Sequence, residues 1–131
     1  MVGSSWEAPL LSADSISDAL ARWPRREVPA LPGRTNHIRA GVLVGLRLEP
    51  EPVCILTLRS RGLRQHGGEI CYPGGRPEPG DLDLTQTALR EAREELGITR
   101  VQQLGRLSSI PVYTSDHRLE PFVGLVEDPV L

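Results

Sequence analysis

The sequence predicts an α/β domain, and three observations carry that prediction. A β-branched and leucine-rich run from Ala40 to Leu48 has the continuous apolar character of a central strand buried on both faces. A stretch dense in helix formers, Thr85 to Leu96, follows acidic, capping-prone residues and is stopped by Gly97. Further strand-like segments flank both. At 131 residues the chain makes one domain, long enough to bury a core without covalent staples.

Composition narrows the function. Charged residues are 24% and the net charge is −2, which argues against both a basic nucleic-acid surface and an acidic disordered chain. The expected partner is a small molecule, met locally by arginines. Cys54 and Cys71 are too few and too far apart for a zinc site or a redox pair. Each lies in an apolar, strand-like stretch, so both are expected to be buried thiols in a reduced, cytoplasmic setting. No apolar run is long enough for a membrane span, and the N-terminus lacks the character of a secretory signal.

Taken in order, Met1 to Pro9 reads as an unstructured lead. Ser12 caps a short helix through about Trp23, with Ile16, Ala19, Leu20 and Trp23 as its buried face. Pro24, Pro29, Pro32 and Gly33 make an extended link, so residues 1–35 form an N-terminal region and 36–131 the domain proper. After the central strand, Pro50 and Pro52 mark a turn, and Val53 to Leu58 returns as the next strand. Beyond the helix, Val101 to Leu107 and Ser108 to Tyr113 are strand segments with a bend near Gly105. Thr114 to His117 is turn chemistry, and Arg118 to Val126 is a final strand.

Two stretches carry candidate chemistry. On the helix, Glu91, Glu94 and Glu95 fall on one stripe, while Leu89, Ala92 and Leu96 fall roughly opposite. Like charges at that spacing cost about 0.2–0.5 kcal/mol per pair, so the stripe calls for a counter-charge, and a divalent cation is the natural one. Mg²⁺ takes oxygen ligands and is shared between a few carboxylates and substrate phosphates. Three glutamates beside the Gly74-Gly75 turn, with the Gly74 carbonyl, supply such a half-shell, and Arg90 is placed to hold Glu91. The alternative is a solvated face on which Arg90 pairs with Glu94 at i+4, and spacing alone favours it. The second stretch, Arg59 to Gly68, holds Arg59, Arg61, Arg64 and His66. By composition it is as readily a solvated basic turn as a phosphate site, and His66 as readily a loop residue as a donor.

The whole string shifts that balance. Arg90-Glu91-Ala92-Arg93-Glu94-Glu95-Leu96-Gly97-Ile98, after a Gly-Gly turn, resembles the Nudix box. The usual first glutamate of the box falls on Leu82, and the interval from Gly75 to Arg90 is one residue longer than standard. Upstream, Ile55-Leu56-Thr57-Leu58-Arg59-Ser60, then Arg61-Gly62, then Tyr72-Pro73-Gly74-Gly75, resembles the coenzyme A pyrophosphatase branch of that family, as does the stretched box with acids at Glu78 and Asp81.

The resemblance implies a Nudix-type α/β/α sandwich around a mixed sheet. It also implies metal-dependent hydrolysis of the diphosphate of coenzyme A or its acyl derivatives, giving 4′-phosphopantetheine and 3′,5′-ADP. Glu91, Glu94, Glu95 and the Gly74 carbonyl would hold Mg²⁺ or Mn²⁺, and Arg90 would orient Glu91. Glu91, Arg90 and Glu94 would form the catalytic set, with Glu91 the first choice of general base and Glu120 the second. Arg59, Arg61, Arg64, His66 and Arg76 would meet the substrate. Two alternatives stand beside this: hydrolysis of another nucleotide such as ADP-ribose, NADH or a nucleoside triphosphate, and a Nudix-fold binding module without turnover. Most domains of the family continue into a further strand and a closing helix, so the expectation is either a trimmed chain lacking these or a minimal fold that covers its sheet in another way, such as a second subunit making a homodimer.

Overall fold

The computed structural model describes residues 11–58 and 68–129. The elements, in order, are α1 (Ala13–Arg22), β1 (Ile38–Arg47), β2 (Val53–Ile55), β3 (Thr57–Leu58), β4 (Ile70–Cys71), β5 (Gly74–Gly75), α2 (Leu84–Leu96), β6 (Val101–Arg106), β7 (Ile110–Pro111) and β8 (His117–Val126).

β1 is the centre of a mixed sheet, as its apolar run predicts. It pairs parallel with β8 from Ile38↔His117 to Leu46↔Leu125, and antiparallel with β2 and β5. β6 and β7 extend β8 antiparallel. The register shifts between Gln103 and Gly105, where Gly105 has φ 156°, so the bend expected there is a bulge. The run Val53 to Leu58 does not stay in one strand. β2 pairs with β1, whereas β3 turns to pair with β4 in a separate two-stranded sheet.

Residues alternate across β1. Gly41 and Leu43 face α2, and the core is built on that face from Leu43, Ala88, Ala92, Ile98, Phe122 and Val126. On the opposite face, Leu20 of α1 lies against Gly105 of β6, in register with Val123. Two helices on opposite faces of one mixed sheet are the α/β/α arrangement expected.

Helix α1 begins as predicted, with a reciprocal cap in which Ser12 Oγ accepts from the Ser15 amide at 3.0 Å and Ser15 Oγ accepts from the Ser12 amide at 2.9 Å. Its buried face is narrower than expected. Ile16 and Leu20 are half-buried, Ala19 is exposed, and Trp23 is 69% exposed rather than in the core. The helix ends at Arg22 and Trp23 takes an extended ψ of 126°, so its side chain leaves the helical stripe. The cysteines also depart from expectation: Cys54 is exposed and Cys71 half-buried, because the short strands that carry them are covered on neither side as fully as β1.

The link before β1 is anchored by Asn36. Its buried amide nitrogen donates to the carbonyls of Val112, Ser115 and His117 at 3.1, 3.2 and 2.8 Å, while its Oδ1 accepts from the Leu31 amide. This one side chain fixes where β1 and β8 start side by side.

Candidate functional site

Helix α2 is set by its ends. Asp83 Oδ1 accepts from the Gln86 amide at 2.9 Å, and Gly97, at φ 70°, supplies the left-handed residue that closes the last turn. Thr87, Ala88 and Ala92 are fully buried against the sheet. The approach is close: a Cβ on Gly41 would lie 2.2 Å from the Leu84 carbonyl oxygen, so only glycine fits beneath the first turn. With small residues buried, the next positions round the helix sit at its edge. Side-chain exposure rises from 18% at Glu91 and 21% at Arg90 to 55% at Glu94.

Arg90 is the hub. Its Nε donates to Asp81 Oδ1 at 3.0 Å and its Nη2 to Asp81 Oδ2 at 3.0 Å, a two-pronged pair. Nη1 donates to Glu91 Oε1 at 3.1 Å and Glu94 Oε2 at 3.2 Å, with Glu78 Oε1 at 3.5 Å, and Nη2 also reaches the Arg76 carbonyl at 3.2 Å. The two sequence readings of Arg90 are therefore both realised, since it holds Glu91 and pairs with Glu94.

Asp81, which the sequence marks as an acid of the lengthened box without giving it a role, proves to be the main partner of Arg90. Its carboxylate is only 7% exposed and also accepts from Thr87 Oγ1 and the Glu78 amide, each at 2.9 Å. Arg90, then the Glu78 amide, holds its pKa well below the usual carboxylate range, and Asp81 in turn raises that of Arg90. Leu82, at the position where the box usually has its first glutamate, is 84% exposed. The acid has moved one place upstream, and the extra residue between Gly75 and Arg90 was the signal.

Glu91 lies against the Gly74-Gly75 turn of β5, where a Cβ on Gly75 would stand 2.6 Å from Glu91 Oε1. Glu91 and Glu94 at this corner, the backbone at Gly74 and the exposed Glu95 one turn after Glu91 on α2 all offer hard oxygens, the type suited to Mg²⁺ or Mn²⁺. Among the described residues, no three His, Cys, Asp or Glu side chains converge on a ready-made metal position, since Glu91 and Glu94 turn to Arg90. Arg76 enters through its carbonyl, with its side chain exposed. Arg59, Arg61, Arg64 and His66 lie outside the described residues.

Glu120 is not brought to this corner. It is in register with Gly41, whose other neighbour is Gly75, and its carboxylate pairs with Arg39 and, at 3.7 Å, with Arg106. On the side of β1 away from α2, a recess of about 500 Å³ opens beside Gly74 and Gly75, lined by Ala40, Val42 and Leu119 of the main sheet and by Leu56, Ile70 and Tyr72 around the small one. It is largely apolar and borders the Gly74-Gly75 turn.

Comparison with known proteins bears on the family and the fold. An uncharacterised Nudix hydrolase NudL of Yersinia enterocolitica is 36% identical over 121 residues, covering 91% of this chain and 62% of the relative. The NudL of Yersinia pestis is 44% identical over 94 residues, covering 70% and 46%. The chain thus spans about half to three-fifths of the length of these curated relatives. Among solved structures, the C. elegans Ap4A hydrolase superposes with a TM-score of 0.53 at 21% identity, covering 70% of each chain. The NUDIX domain of Shewanella oneidensis NrtR, in complex with ADP ribose, gives 0.53 at 18% identity, covering 87% of this chain and 72% of that one. These likenesses bear on the fold. With the NUDIX domain family matched over residues 36–127, the span that holds the Arg90 hub and the whole main sheet, the chain belongs to the Nudix family.

Proposed function

We propose that the protein is a metal-dependent hydrolase of a nucleoside diphosphate joined to a second group, and that this substrate is coenzyme A or an acyl derivative. The observation that carries the hydrolase reading is the Arg90 hub, which gathers Asp81, Glu91 and Glu94 at the Gly74-Gly75 turn. The coenzyme A assignment rests on the pattern from Ile55 to Gly75 and the box lengthened by one residue.

Glu91, Glu94 and Glu95, with the Gly74 carbonyl, would hold Mg²⁺ or Mn²⁺. Such an ion, when bound, neutralises diphosphate charge and lowers the pKa of a coordinated water. The chain's own part is positional. Asp81 fixes the guanidinium of Arg90, Arg90 fixes Glu91, and Glu91, lying against Gly75, is the side chain placed to take a proton from the attacking water. Glu120 has no such access, because Arg39 and Arg106 tie it in a separate cluster. The apolar recess beside Gly74 suits the part of the substrate that is not diphosphate. Arg59, Arg61, Arg64, His66 and Arg76 are the proposed substrate contacts, with guanidinium forks matched to phosphate oxygens. A cytoplasmic setting and a homodimer complete the reading; light scattering on the purified chain tests the latter. Among the described residues no helix is long and apolar enough to cross a membrane.

The test is incubation with coenzyme A, ADP-ribose and NADH in parallel, with Mg²⁺ or Mn²⁺ and with EDTA, following products by mass spectrometry. Metal-dependent release of 3′,5′-ADP is expected. Preferential cleavage of ADP-ribose or NADH would move the protein to the other hydrolase reading. A folded chain that cleaves none of the three would leave the binding-module reading. Glu94→Gln or Glu95→Gln should remove turnover with little change in unfolding temperature, since both side chains are exposed.

A further inference from the structure

A second recess, charged and of about 300 Å³, lies outside the box. Four arginines line it, Arg25, Arg26, Arg39 and Arg106, against two carboxylates, Glu27 and Glu120. Arg39 is shared by both glutamates, and Arg106 reaches Glu120 at 3.7 Å while its guanidinium sits over the Phe122 ring at 4.8 Å. The carboxylates are therefore spent on the two sheet arginines. Arg25 and Arg26 make no side-chain ion pair with any described residue, and the recess carries a surplus of two positive charges.

The segment that presents them is held in place. The Arg26 amide donates to Ser108 Oγ at 2.9 Å, the Arg26 carbonyl accepts from the Ser109 amide at 3.2 Å, and Glu27 bridges to Ser109 in parallel register. One residue on, the Val28 carbonyl accepts from the buried Arg118, whose same Nη1 donates to Ser109 Oγ at 2.9 Å. Two guanidinium groups standing on a fixed backbone lose less freedom on meeting a ligand than two on a loose link would. The recess is also distinct from the Arg90 corner. Gly75, Gly41 and Glu120 are in register on neighbouring strands, about 10 Å from first to last, and the first turn of α2 lies over Gly41 between them.

We propose that this recess is an anion site for a dianionic phosphate monoester, bound by Arg25 and Arg26 with Arg39 and Arg106 at its floor. A dianion matches the surplus charge, and forked guanidinium donors match phosphate oxygens. The proposal does not depend on the hydrolase reading.

The test is thermal unfolding of the full chain against inorganic phosphate, with acetate and chloride at matched ionic strength, together with amide chemical shifts. Wild type and Glu94→Gln should show the same saturable stabilisation by phosphate, with shifts at the Arg26 and Ser109 amides. Arg25→Ala/Arg26→Ala should weaken the apparent affinity at least about fivefold, the loss of about 1 kcal/mol that one charge-assisted contact represents. Arg25→Ala alone, at an exposed unpaired side chain, gives the same direction if the double variant unfolds. An unchanged phosphate response in the arginine variants, or an equal response to acetate or chloride, overturns the site.

Discussion

Asp81 is a small residue in a large role. Held by Arg90, Thr87 and the Glu78 amide, it keeps the guanidinium where it can hold Glu91. Asp81→Asn keeps the shape and removes the charge, so kcat should fall about 10- to 100-fold with KM little changed; equal changes in both would indicate general loosening instead. The same pair gives a pH signature. Asp81 titrates near 3.8 in the unfolded chain and lower in the fold, so its stabilisation is complete above 3.8 and is lost as pH falls through the depressed folded value. Unfolding temperature should therefore drop less steeply on acidification in Asp81→Asn than in wild type. At this scale the grouping of Arg90 with Glu91 and Glu94 was legible, because Glu91 is its neighbour and Glu94 falls one turn on; the metal role given to Glu91, Glu94 and Glu95 rests on the box resemblance. Asp81 was visible only as an acid of the lengthened box; its contact with Arg90 was hidden because in a loop no period says which acid points inward.

At the scale of elements, the seat of α2 on β1 depends on Gly41. Gly41→Ala would push a methyl against the Leu84 carbonyl, a backbone atom that cannot swing aside, and should cost about 1–3 kcal/mol by overpacking. Urea unfolding measures this, and a variant as stable as wild type would mean that the helix shifts freely. The cap of α1 should be worth about 1 kcal/mol, tested by Ser12→Ala. The sequence marked both helices and the long strands through caps, stops and apolar runs. It misplaced Trp23 because a stripe drawn at 100° per residue assumes that the helix continues, and here the chain turns extended one residue earlier. It merged β2 with β3 because a change of sheet leaves the apolar pattern of Val53 to Leu58 unbroken.

For the molecule as a whole, the α/β/α layering was legible from the box resemblance and the two helical stretches, while the arginine-lined recess was not. Arg39 and Arg106 are far apart in sequence, and only the pairing of β1, β8 and β6 brings them near Glu120, while the contacts of Arg26 and Glu27 with Ser108 and Ser109 bring Arg25 alongside. The coenzyme A assignment makes one molecular-scale prediction. Arg59→Ala or Arg64→Ala should raise KM for coenzyme A more than for dephospho-coenzyme A, and equal effects would remove the 3′-phosphate role. Finally, the parallel pair at the centre of the sheet joins residue 38 to residue 117, so β1 must wait for a strand synthesised much later in the chain. Closing so long a loop before its contacts form is slow. A chain cut after Arg106 should stay unfolded, and the nascent protein should leave the apolar face of β1 open to chaperones until β8 has emerged from the ribosome.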